Sequence, residues 1–480
     1  MLLGLAVAGA PQALGQALPD LGGGDGALSP QLERRIGEEY MRSIRTNPAY
    51  VDDAEVSDYL ATLGGQLTAA TPGGGADYQF FAVRDPAINA FALPGGFVGV
   101  HTGLLLAADS ESELASVLAH EIAHVTQRHI SRMVSADAQA QLPTALAVIA
   151  AILLARSRPD LAGGAVAVAQ ARDIQHQLNY TRDFEREADR IGFQTLANSG
   201  FDTRAMPAFF EKLQRYTRLA DDGTVPSYLR THPVTSERIA DAMNRAASLP
   251  FRQRVDSQEF QFVRAKLRAE LGQPREALEH FSAVLRERRY ASEAAARYGL
   301  IAALLRARRA ADAAVELAVL RGTETANPMI ATLDARVRQA RGDDKGAAAV
   351  LEEAMTRFPH RKPVLYAYLG LLHQAGRYLE ARDLIARELK LYPKDLILHT
   401  QYAKTYAALG KRLLQHQAQA EAYVLQGSYP AAIEQLMLAR IAGDGDFYQI
   451  SIVEARLKEL RARHGPEQQP ALAPRYFWSS

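Results

Sequence analysis

The sequence contains no cysteine. This excludes a disulfide framework, a thiol nucleophile, any cysteine-based zinc site and a lipid anchor on cysteine. Net charge is nearly absent as well, at +1 from 55 Lys and Arg against 54 Asp and Glu. There is thus no electrostatic case for a nucleic-acid partner or an acidic surface. Apolar runs are short. The longest, Leu142 to Leu154, is broken by Pro143 and closed by Arg156, well under the roughly 20 residues a membrane-spanning helix needs. What remains is a chain of 480 residues, 48% hydrophobic and 23% charged. That is ordinary for a globular protein and long enough for two or more domains.

The most informative stretch is LAHEIAHV, Leu118 to Val125. On a helix, His120 and His124 share a face, so both imidazoles reach one metal ion. Glu121 lies one position round and reaches a metal-bound water without being a ligand. This is the donor pattern of a zinc peptidase. Ser110 and Glu113 read as a capping box for that helix. Leu114, Val117, Leu118, Ile122 and Val125 form an apolar stripe at helical spacing, flanked by the two histidines.

A catalytic zinc takes three protein ligands and keeps one position open. Glu185, in TRDFEREADRIGF, is the candidate third ligand. Asp189, one turn on, suits the free N–H of a ligand histidine and is counted with Glu121 among the catalytic candidates. Ala188 lets two helices approach closely. The competing reading, a solvated face in which Arg182, Arg186 and Arg190 pair with these acids, loses because the segment follows the His-Glu-x-x-His helix. His232, in Thr231-His-Pro233 before Ser236-Glu-Arg238, is a candidate both for the fourth zinc position and for oxyanion stabilisation. His129 and His176 read as surface or packing residues, and His101 as structural.

The remaining elements follow from local pattern. Residues 1–17 are apolar and small and read as a signal peptide without its basic n-region. Leu18 to Ser29 reads as a flexible terminus, and 30–67 as two helices. Tyr78 to Val83 alternates as a strand. Two apolar runs around Pro94-Gly95-Gly96 read as a β-hairpin whose edge suits an extended peptide. Residues 142–171 read as a flap beside the cleft, with contact to a membrane surface as the alternative. From about Gln258 the chain turns to short paired helices. Gly342, Gly376 and Gly410 are 34 residues apart, as are Ala347 and Ala381, the period of a tetratricopeptide array. Weaker repeats start at Gly272 and Gly427. The fold expected is mainly α: an α+β peptidase domain with a small sheet over 18–255, an all-α solenoid over 256–464, and a loose tail over 465–480.

VLAHEIAHVTQRH, NYTRDFEREADRIG, THPVTSERIA and INAFALPGGFVGVHTGLL together resemble the HtpX/BepA-type zinc metalloproteases, over roughly residues 30–250. The resemblance implies His120, His124 and Glu185 as zinc ligands, Glu121 as catalytic base and His232 as an additional, regulatory ligand. With the signal and the repeats, the order resembles the BepA-like periplasmic branch of Gram-negative bacteria. That implies an endopeptidase acting on protein substrates in quality control of outer-membrane proteins, its repeats docking on the assembly machinery. A chaperone or scaffold in which proteolysis is rare is the competing expectation.

Overall fold

The computed structural model describes residues 28–74, 77–133, 171–219, 227–323 and 326–464. The expected signal peptide, the flap over 142–170 and the C-terminal tail lie outside them. Leu28 corrects the flexible-terminus expectation at its end: it is buried, and its N–H donates to Ser131 Oγ at 2.7 Å.

Helices α1 (Pro30–Arg45) and α2 (Ala54–Ala70) begin at Ser29 and Asp53, whose side chains accept backbone N–H groups of the first turn, the usual way to satisfy orphan donors. Strands β1 (Gln79–Val83), β2 (Ala90–Leu93) and β3 (Phe97–His101) form one sheet in the order β1-β3-β2. The expected hairpin is β2–β3, antiparallel, while β1 runs parallel to β3. Gly95 and Gly96 turn it with φ of +79° and +92°, and a Cβ on Gly95 would lie 2.6 Å from Arg34 Cα. Only glycine fits there.

After α3 (Thr102–Ala107) comes α4 (Glu111–Thr126), which carries the His-Glu-x-x-His motif. Its N-cap is Ser110, and the Glu113 carboxylate accepts from Asp109 N–H at 2.9 Å. The stripe expectation understates its burial. Every residue from Glu111 to His124 is buried, because α2, the sheet, α6 (Ala171–Asn198) and α7 (Ala205–Leu219) surround it. The short α5 (His129–Met133) lies between α4 and α6 in sequence. Then follow α8 (Ser227–Thr231) and α9 (Ser236–Ala247).

The second half is helical hairpins: α10 (Gln258–Glu270), α11 (Pro274–Arg286), α12 (Glu293–Arg306), α13 (Ala310–Thr323), α14 (Pro328–Ala340), α15 (Asp344–Arg357), α16 (Lys362–Gln374), α17 (Tyr378–Leu391), α18 (Leu396–Ala408), α19 (Arg412–Leu425), α20 (Tyr429–Arg440) and α21 (Phe447–His464). The periodic glycines are turn residues, with φ of +79°, +70° and +71° at Gly342, Gly376 and Gly410. Ala347 and Ala381, five residues after the first two, are fully buried and let the paired helices pack closely.

One hydrophobic core runs from Val51 through α4 and on to Val337, so the first hairpins pack directly on the N-terminal half. A buried polar knot crosses the same boundary. Lys266 Nζ donates to Glu55 Oε2 at 2.6 Å and lies 2.5 Å from Asp53 Oδ2. Tyr298 Oη donates to Glu55 at 3.2 Å, and Thr332 Oγ1 also donates to it. Removing one partner of such a pair strands a buried charge, so Lys266→Met is expected to lower unfolding free energy by about 3–5 kcal/mol. Chemical denaturation measures this, and a loss under about 1 kcal/mol would show that the knot does not hold the halves together.

Candidate metal centre

Ala188 and Gly192 let α6 lie directly against α4. Ala188 is fully buried, and a Cβ on Gly192 would sit 3.0 Å from His120 backbone atoms. That contact brings Glu185 beside the histidines of α4. From the other side, α8 delivers His232, whose N–H donates to Tyr228 O at 2.7 Å.

Four donor atoms converge. His120 Nε2 lies 3.0 Å from His124 Nε2, 3.3 Å from His232 Nδ1 and 3.3 Å from Glu185 Oε2. Glu185 Oε1 lies 3.4 Å from His124 Nε2 and 3.0 Å from His232 Nδ1. All four residues are buried. A tetrahedron with zinc–ligand bonds of about 2.0–2.1 Å has corners about 3.3–3.4 Å apart, so these separations suit a zinc ion. The charge suits it too. Three buried carboxylates, Glu121, Glu185 and Asp189, share this region with one buried guanidinium, Arg238. Two negative charges remain for a divalent cation to neutralise.

The two acids of α6 are held ionised. Burial opposes ionisation of Glu185, but His232 and Arg238 keep its pKa well below the usual carboxylate range. Asp189 is likewise lowered against its burial, by His120 and Arg238. Burial alone would lower the His120 pKa, yet the hydrogen bonds to Asp189 and Glu185 raise it to about 9.

The structure brings together all six residues singled out in the sequence. Asp189 Oδ1 is 3.0 Å from His120 Nδ1. Glu121 Oε1 lies 3.4 Å from His232 Nε2. His101 stays outside the cluster, buried with Nδ1 3.6 Å from Asp85.

Sequence reasoning missed two neighbours. Arg238 grips Asp189 with both arms, Nε to Oδ2 at 2.6 Å and Nη2 to Oδ1 at 2.8 Å, and its Nη1 reaches Glu185 Oε2 at 3.1 Å. The arginines of α6 do not take that role: Arg186 turns to Asp183 and Glu237. The adjacency of Arg238 to the Thr-His-Pro segment was the available signal. His129 is no surface residue. It is buried, with Nδ1 2.9 Å from His124 Nδ1.

A His-Glu-x-x-His helix completed by a glutamate from the next long helix defines a zinc metallopeptidase. The family model for peptidase family M48 matches residues 57–246. The Beta-barrel assembly-enhancing protease of Yersinia pestis is 33% identical over 449 residues, covering 92% of this chain and 91% of that protein. The protein of that name from Escherichia coli K12 is 32% identical over 453 residues, with the same coverage. A Vibrio cholerae relative is 42% identical over 255 residues, and that match spans 52% of this chain and 51% of the relative. The chain belongs to peptidase family M48, with the Beta-barrel assembly-enhancing proteases, and is a metalloendopeptidase. Its metal is zinc.

Replacing Arg238 with Met would leave Asp189 and Glu185 without their guanidinium. Stability is expected to fall by about 3 kcal/mol, and zinc to be lost at lower chelator concentrations. Arg238→Lys should fall between, because an ammonium cannot reproduce the fork. Thermal unfolding with and without chelator reads both, and wild-type behaviour of Arg238→Met would remove it from the site.

Proposed function

We propose that this metalloendopeptidase cleaves protein substrates with Glu121 as general base, and that His232 caps its metal centre until substrate or partner displaces it. The observation that carries the reading is the placement of His232. Its Nδ1 lies 3.0 Å from both oxygens of Glu185 and 3.3 Å from His120 Nε2, at the fourth corner of the donor set. Its Nε2 faces the Glu121 carboxylate. One ring therefore covers both the open position and the base. This arrangement supports capping over oxyanion stabilisation as the role of His232.

Zinc held by His120, His124 and Glu185 would supply Lewis acidity for a peptide carbonyl and lower the pKa of a water. Glu121 takes a proton from the attacking water and returns it to the leaving amine. Asp189 and Arg238 keep the His120 ring aimed throughout. Strand β2 pairs only with β3 among the described residues and packs beside α4. Its outer edge offers main-chain hydrogen bonds to an extended peptide.

The relatives' name concerns β-barrel assembly. We infer the same setting for this chain: an exported enzyme of the periplasm, working on outer-membrane proteins under assembly. The hairpin array is read as a tetratricopeptide solenoid that docks on the assembly machinery. No described helix is long and apolar enough to cross a membrane. The cap also favours the conditional side of the reading, in which repeat-mediated docking comes first and proteolysis is released later.

Glu121→Gln is expected to keep one zinc per chain while cleavage of a protein substrate falls by about 10²–10⁴-fold, the range of a lost acid–base group. Retained cleavage would refute the assignment. His232→Ala is expected to raise cleavage several-fold. A fall would instead support the oxyanion role, and no change would remove His232 from the site.

A further inference from the structure

We propose that His129, outside the His-Glu-x-x-His motif, is the positioning residue for His124 and the middle of a relay that ends at Glu187 on the surface. The inference rests on reading His124 as a zinc ligand.

The proton positions follow from which nitrogen faces what. His124 turns Nε2 into the donor cluster. A neutral imidazole that offers Nε2 to a cation carries its proton on Nδ1. The atom facing that proton is His129 Nδ1, at 2.9 Å. His129 Nδ1 must then accept, which places the His129 proton on Nε2. That nitrogen meets Glu187 Oε2 at 3.2 Å, and Arg132 Nη1 donates to the same oxygen at 2.9 Å. Each link sets the tautomer of the one before it. The two ligand histidines are thus held differently. His120 meets a buried carboxylate directly, whereas His124 reaches its carboxylate through a second imidazole, and that carboxylate is partly exposed.

The backbone is built for this contact. Five residues along an unbroken helix turn a side chain about 140° away, so His129 would not face His124 if α4 simply continued. The helix instead stops at Thr126, and Arg128 takes φ of +54° before α5 begins. A non-glycine residue rarely adopts that conformation, and it persists only where its surroundings hold it. Here Arg128 donates to Leu28 O and, through Nε, to Glu33 Oε1 at 3.2 Å. The ring of His129 is then clamped flat on Phe184, with centroids 4.3 Å apart and planes at 14°.

Two substitutions separate positioning from packing. His129→Phe keeps a ring to stack on Phe184 but removes the acceptor. His129→Asn keeps an acceptor oxygen near the Nδ1 position but loses the stack. The measurement is zinc affinity of the purified full chain, by competition with a chromogenic chelator, with thermal unfolding of the metal-free proteins as a check on folding. The expected result is a loss of about 10–100-fold in affinity for His129→Phe, the range for a lost partner of a ligand histidine, with His129→Asn within about threefold of wild type. The reverse order, or wild-type affinity in His129→Phe, would overturn the proposal. If His129→Phe does not fold, Glu187→Ala carries the same test from the partly exposed end, and unchanged affinity there would overturn the relay. A wild-type chain that binds no zinc would instead overturn the ligand reading itself.

Discussion

Three carboxylates buried beside three imidazoles cannot stand in a dry core without positive charge to balance them. That requirement shapes the peptidase half. One compensating charge, Arg238, comes from α9, and its planar fork can serve Asp189 and Glu185 together. The other two come from a divalent cation, for which the donors are already arrayed. The helices must approach closely enough for these charges to meet, and Ala188 and Gly192 provide that closeness along the α4–α6 contact. A side chain larger than these would move Glu185 away from the histidines it has to join.

The same need for satisfied burial ties the two halves of the chain into one body. Glu55 is buried where α2 meets the first hairpins, and its oxygens are occupied by Lys266, Tyr298 and Thr332. At the far end of the array, Arg42 and Arg45 of α1 donate to the Gly427 and Leu425 carbonyls at 3.4 and 3.3 Å. The hairpins are therefore fastened to the peptidase half at more than one place. Of the two helices that make these contacts, α1 shares its core with Ile130 of α5, next to His129.

The donor set also has a cost built into it. A site closed by four protein ligands holds its metal firmly, as structural zinc sites do, whereas catalysis needs an open corner. His232 comes just after the short helix α8 and before Pro233, whereas His120, His124 and Glu185 lie within the long helices α4 and α6. It is the donor whose departure would disturb the core least.

Much of this was legible in the linear sequence, for physical reasons. His120 and His124 are four apart, and helical geometry alone puts them on one face. Glu185 and Asp189 repeat that spacing, but it is their place after the His-Glu-x-x-His helix, and not the spacing alone, that sets them apart from a solvated charged face. The 34-residue recurrence of glycine marks turns that need positive φ, wherever the helices then pack. Three features were decided only by the tertiary structure. Arg238 reaches Asp189 across 49 positions, and its nearness to Thr-His-Pro hints at the site without naming the acid it pairs with. His129 faces His124 only because Arg128 reverses the backbone, and a left-handed arginine has no sequence signature. The continuous core across residue 255 depends on which face of α2 meets α10. Spacing along one helix is a local property, so sequence reports it. Partners on different helices are chosen by packing and charge balance across the whole fold.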